Sequence, residues 1–276
     1  MTRKNHKVFA KLEWDAPSSA VELWSTKAYA PAAASGNVID IYDVIGEDFW
    51  SGSGFTEKKL AGILRDVGDQ DVTVNINSPG GDMFMGLAMR NRLVKHKGHV
   101  TVNVLGLAAS AASIIAMGGD TVNMMTGSVM MIHKCWAMVI GNADDLKKAA
   151  EDFEVFDRSM AEVYSEKTGI SVDDVMNMLT AETYMTASEA VKQGFANAEV
   201  AVDTNARAMM PDDVIAKRTL EASLAKQGYT RKQRAELLAR ASGKRDAAGE
   251  NGERDAAVKS EVLKSLSGLI ATMNED

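Results

Sequence analysis

Cysteine is nearly missing from this chain of 276 residues; the only one is Cys135. A single thiol excludes an intrachain disulfide, and with no Cys/His cluster it excludes a zinc site of the usual spacing. Proline is scarce, at four residues, and aromatic side chains make up 6%. No continuous apolar run reaches about 18 residues, so no membrane-spanning helix is expected. Met1-Thr2-Arg3-Lys4 is basic, but no apolar segment follows it, which predicts no signal peptide. There is no P-loop, and no motif asks for a cofactor or a metal. The net charge of −7 argues against nonspecific nucleic-acid binding, and no specific nucleic-acid partner is expected. The late basic runs Arg231-Lys232-Gln233-Arg234 and Lys244-Arg245 read as solvated helix faces. Apolar residues, in contrast, are plentiful at 46%, enough for one large core plus an appendage.

Three short segments then stand out. Val72 to Ile76 alternates apolar and polar residues, which predicts a strand. Asn77-Ser78-Pro79-Gly80-Gly81 ends it as a turn, and a helical stretch, Met83 to Lys97, follows. Glycines there let the backbone approach a ligand and turn its N–H groups outward. On its own this is equally a plain strand-to-helix turn.

The second segment repeats the pattern. Val100 to Val104 alternates, Gly106 is expected to break the strand, and small residues follow through Ser110 to Met117. Ser110 therefore sits at a helix start, either as an N-cap or as a reactive hydroxyl. Ser113, one turn on, is the runner-up nucleophile. The third segment, Val129-Met130-Met131-Ile132, ends in His133. His6, His96 and His99 have no comparable context. A glycine pair, a serine and a histidine in that order are the parts of an acyl-transfer site: a base, a nucleophile and N–H donors for an oxyanion.

These segments resemble the signature segments of the Clp protease (ClpP) family of serine peptidases. The matching pieces are Asn77 to Gly81, Gly106 to Ala111, and Met131-Ile132-His133, with Thr186 to Gly194 as a fourth. The resemblance covers residues 37–202. It implies an α/β fold, a ClpP/crotonase-like spiral of strand-strand-helix units. It implies Ser110 as nucleophile, His133 as general base, and the N–H groups of Gly81 and Ala111 as oxyanion hole. Glu182 stands where the family carries an aspartate, and by resemblance is the orienting acid. The run Ala181 to Ala190 is similar to that of the ClpP-like head maturation proteases of tailed bacteriophages. That variant implies limited cleavage of phage capsid and scaffold proteins, with self-cleavage, in proheads assembling in the host cytoplasm. It also implies a homo-oligomeric ring and no unfoldase ATPase partner. Two other classes stay open: a crotonase-type acyl-CoA enzyme, and a catalytically silent capsid-assembly module.

The remaining organisation is legible in outline. Residues 1–36 read as N-terminal strands (Lys7 to Trp14, Val21 to Trp24) and a linker, Ala28 to Ser35. Val38 to Val44 reads as a strand and Thr56 to Val67 as an amphipathic helix. Apolar residues from Leu146 to Tyr164 recur at three- and four-residue steps, predicting a long helix from Asp144 to Lys167. Ser171 should cap a shorter helix, Val172 to Leu179. Residues 203–276 form a mostly helical or disordered tail, with a Gly- and charge-rich stretch from Ser242 to Arg254 and a last apolar stripe, Val258 to Ile270. That tail holds no catalytic group and is expected to be dispensable for cleaving small substrates.

Overall fold

A computed structural model of the protein describes residues 13–14, 17–26, 29–31, 37–47, 54–201, 207–209, 220–225, 227–230, 233–234 and 237. The elements, in chain order, are β1 (Glu13–Trp14), α1 (Ser18–Thr26), β2 (Tyr29–Pro31), β3 (Val38–Ile41), α2 (Glu57–Val67) and β4 (Val72–Ser78). There follow α3 (Met83–Val94), β5 (Val100–Ala109), α4 (Ala111–Ala116), β6 (Thr121–Met125), β7 (Val129–Ile132) and β8 (Ala137–Met138). The last are α5 (Ala143–Thr168), α6 (Val172–Thr180), β9 (Thr183–Thr186), α7 (Ala187–Lys192), β10 (Ala198–Val200) and β11 (Arg207–Met209).

A seven-stranded sheet organises the molecule. Its main order is β10-β6-β5-β4-β3, all parallel. The long strand β5 pairs with β4 along one edge and with two strands along the other. Thr101 to Val104 pair with β6, and Leu107 to Ala109 pair with β7. Strand β9 then closes antiparallel on β7. The apolar residues of the alternating strands, among them Val74, Ile76, Val102 and Val104, are buried against the helices. Their polar neighbours form a side-chain ladder across the other face. Asn75 donates to Asp40 at 2.9 Å, Asn103 to Asn75 at 3.2 Å, and Asn123 to Asn103 at 3.1 Å. The period-two pattern thus fixes both the strands and their register.

Three expectations change. Gly106 does not break β5; the strand runs on to Ala109. The register with β4 shifts between Ile76 and Ser78, and the Asn77 carboxamide accepts from the Leu107 N–H at 3.2 Å. A buried glycine inside the strand marks this irregularity rather than an end. Val21 to Trp24 is helical, within α1, because Ala20, Val21 and Trp24 share one buried face; a short apolar run does not distinguish helix from strand. Part of the expected linker, Tyr29–Pro31, is a strand that pairs antiparallel with Arg207–Met209. Lys7 to Leu12, most of the tail expected over residues 203–276, including the Ser242 to Arg254 stretch, and the final apolar stripe lie outside the described residues.

An early helix and a late helical segment meet behind the sheet. Ala20, Val21 and Trp24 of α1 pack with Leu107, Ala109 and Met131, and with Ala222 and Ala225 from a helical segment at 220–225. The Trp24 indole N–H donates to the Asn77 carbonyl at 2.8 Å. No described helix is long and apolar enough to cross a membrane.

Candidate active site

The glycine turn is built by exclusion. Gly80 and Gly81 have φ of 95° and 144°. A Cβ on Gly81 would lie 2.2 Å from the Ile45 carbonyl oxygen, and one on Gly80 2.6 Å from the Ser110 Cβ. Only glycine fits at either position. The Ile45 N–H donates to the Gly80 carbonyl at 2.8 Å, and the Asp82 N–H to the Ile45 carbonyl at 2.9 Å. Asp82 then caps α3, its carboxylate accepting from the Met85 N–H at 2.9 Å. The Gly81 N–H donates to no described group, and Gly81 lines the pocket that holds Ser110.

Ser110 lies between β5 and α4 with φ 56° and ψ −127°. A serine at positive φ is strained by about 1–3 kcal/mol, so the surroundings must hold it there. Its N–H donates to the Met131 carbonyl at 2.9 Å, and its own carbonyl accepts from the N–H groups of Ser113 and Ile114 at 2.9 and 3.2 Å. Its side chain makes no N-cap hydrogen bond. Instead, Ser110 Oγ lies 2.7 Å from His133 Nε2. The Ala111 N–H, the first of α4, also donates to no described group.

His133 follows β7 directly and is buried. Burial lowers its pKa from 6.5 to about 4, with a backbone contact at Lys134 pulling weakly the other way. The imidazole is therefore neutral at pH 7, and Nε2 can accept the Ser110 proton. Cys135, two residues on, is half-buried and lines the same pocket. Burial and the nearby Asp157 push its thiol strongly upward, so it stays protonated and is no thiolate nucleophile.

The pair lies in a small, partly open pocket lined also by Met83, Trp136, Met160 and Tyr164. Glu182 is carried next to His133 by the ladder, one residue beyond the Ile132–Thr183 pair. The Lys134 and Glu182 N–H groups both donate to the Leu179 carbonyl, at 3.2 Å each. Glu182 has φ 48°, and its exposed carboxylate makes no hydrogen bond to the imidazole. Ser113 points elsewhere: its hydroxyl donates to the Ser110 carbonyl at 2.6 Å and is fully buried. Asp157 and Tyr164, which sequence reasoning missed as polar groups, come close to this site from α5. An acid at position 157, on the face shared by Phe153 and Met160, was the available signal.

A strained serine between strand and helix, paired with a buried histidine beside a glycine turn, makes up the candidate site. The family model described as Clp protease matches residues 58–202, more than half of the chain. The chain belongs to the Clp protease family. Among similar proteins is an ATP-dependent Clp protease proteolytic subunit of Chlorella vulgaris, 32% identical over 133 residues. That match covers 48% of this chain and 66% of the relative. Another, of the same description from Deinococcus radiodurans, is 28% identical over 128 residues, covering 46% of this chain and 63% of the relative. The chain thus spans just under two thirds of the length of these Clp relatives. Among solved structures, a ClpP1 point mutant from Listeria monocytogenes superposes with a TM-score of 0.52 at 19% identity. The match covers 60% of this chain and 92% of that one, and it shows the Clp fold for the α/β part.

Proposed function

We propose that this chain is a serine endopeptidase. The observation that carries the reading is the 2.7 Å contact between Ser110 Oγ and His133 Nε2 on a strained strand-to-helix turn. Ser110 attacks the scissile carbonyl while His133 takes its proton. The Gly81 and Ala111 N–H groups, which have no described acceptor, receive the oxyanion. His133 then returns the proton to the leaving amine, and water repeats the cycle on the acyl-enzyme. Glu182 is the orienting acid; its register position opposite His133 supports the role once its side chain turns to the imidazole.

The finer reading is limited, ATP-independent cleavage of phage capsid and scaffold proteins during prohead maturation, by a homo-oligomeric ring. Support comes from the similarity of Ala181 to Ala190 to phage head maturation proteases. It also comes from the exposed apolar groups Trp136, Ile140, Leu146 and Val155 on and before α5, which suit contacts between copies. Co-expression with the neighbouring capsid and scaffold genes tests it. New protein termini should appear with the wild type and be missing with Ser110→Ala. Identical termini with both would refute the reading.

One observation favours a second reading, a silent assembly module: no described carboxylate hydrogen-bonds His133. Hydrolysis of a small ester separates the two, since only a peptidase loses it on His133→Ala.

A further inference from the structure

We propose that α5 holds both halves of the Ser110–His133 pair in register, Tyr164 acting through Ser113 on the nucleophile turn and Asp157 acting through the Cys135 backbone on the histidine segment. The inference rests on the peptidase reading above and deepens it.

The nucleophile half is a chain of two hydrogen bonds. The Ser113 hydroxyl has one proton, and it goes to the Ser110 carbonyl at 2.6 Å. The contact of 2.8 Å between Ser113 Oγ and Tyr164 Oη must then use the tyrosine proton, with Tyr164 donating. Both side chains are buried, so water does not compete for either bond. Burial also raises the Tyr164 pKa, which keeps its proton in place. The chain ends on the carbonyl of a residue held at φ 56°. A strained turn persists only where its surroundings over-determine it, and a buried tyrosine on a long helix supplies a fixed anchor.

The histidine half is a single bond from the same helix. The Asp157 carboxylate, only 4% exposed, accepts from the Cys135 N–H at 2.7 Å. On the other side, the Leu179 carbonyl accepts from the Lys134 N–H. The two residues after His133 are thus tied to α6 and α5 in turn. Burying a carboxylate is costly and an apolar residue would pack there without that penalty, so the bond it makes matters. Asp157 and Tyr164 lie two turns apart on one helix face, with the buried Met160 and Ala161 between them. One rigid element therefore sets the separation of nucleophile and base. Asp157, Ser113 and Tyr164 are positioning residues; none touches the reacting atoms.

The test is the second-order rate constant for fluorophosphonate labelling of the full chain, normalised to folded protein, together with its pH profile. Tyr164→Phe removes one oxygen and should slow labelling about tenfold, the effect of losing one buried hydrogen bond. Ser113→Ala should do the same, and the double variant should be no slower than the worse single one, because the two act in one chain. Asp157→Ala should slow labelling comparably. Asp157→Asn, which keeps an acceptor oxygen for the Cys135 N–H, should recover most of that loss. A merely structural role would lower the melting temperature and leave the rate constant per folded molecule unchanged, and that result overturns the inference. Should Tyr164→Phe not fold, Ser113→Ala and Asp157→Ala decide by the same criterion. A wild type that labels while these variants label equally fast sinks this inference alone. A wild type that does not label at Ser110 sinks the peptidase reading, and this inference with it.

Discussion

Acid should destabilise the wild type more than a variant without His133, by an amount the burial of the imidazole sets. In the unfolded chain His133 titrates near 6.5; in the folded chain burial lowers it to about 4. Between these values the unfolded chain holds one more proton than the folded one. Stability is therefore full above about pH 6.5 and is lost as the pH falls toward 4. At about pH 4.5 the two titrations differ by about 2.5 kcal/mol. The assay is urea unfolding of wild type and His133→Gln at about pH 7.5 and about pH 4.5. The wild type should lose about 2.5 kcal/mol more than the variant over that interval. Equal losses would refute the reasoning, because they would mean that the imidazole is hydrated in the native state. The same titration shapes catalysis, since a protonated imidazole cannot take the Ser110 proton. The acid limb of activity should lie below the 6.5 of a free histidine.

Three further outcomes concern named residues. Glu182→Gln should slow ester hydrolysis and move that acid limb still lower, because a carboxylate on the imidazole raises its pKa; an unchanged profile removes Glu182 from the site. Gly81→Ala should lower stability by about 2 kcal/mol or more and abolish labelling at Ser110, since its Cβ would meet the Ile45 carbonyl; normal unfolding midpoints would contradict this. A chain ending at Asp203 should melt about 4 °C lower or more, because it uncovers Leu107, Ala109 and Met131 where Ala222 and Ala225 now pack; an unchanged melting curve would show that the tail is energetically separate.

That last outcome concerns stability, which an expectation about cleaving small substrates does not address, and the packing behind it shows what a sequence conceals. Ala222 and Ala225 are too small to mark an apolar face, and the surface they cover lies more than 90 residues earlier in the chain. The glycine turn, Ser110 and His133 stood out because each follows a strand-like run, alternating before the first two and continuously apolar before His133. Strand β5 misled because Gly106 reads as a terminator, while its bulge depends on a carboxamide from the neighbouring strand. Helix α5 was placed within one residue at each end by its three- and four-residue repeat. Yet Asp157 was passed over: periodicity counts apolar residues, and a lone acid on that face is read as an interruption. Glu182 could be aligned to a motif, but the orientation of its carboxylate is not a property of sequence.

The central claim is that Ser110 is a nucleophile activated by His133. The most direct measurement is fluorophosphonate labelling of the intact protein, with the modified residue located by peptide mass spectrometry. The account predicts one adduct per chain, on Ser110, lost in both Ser110→Ala and His133→Ala. An adduct on Ser113, or an adduct on Ser110 that forms equally fast without His133, would contradict it.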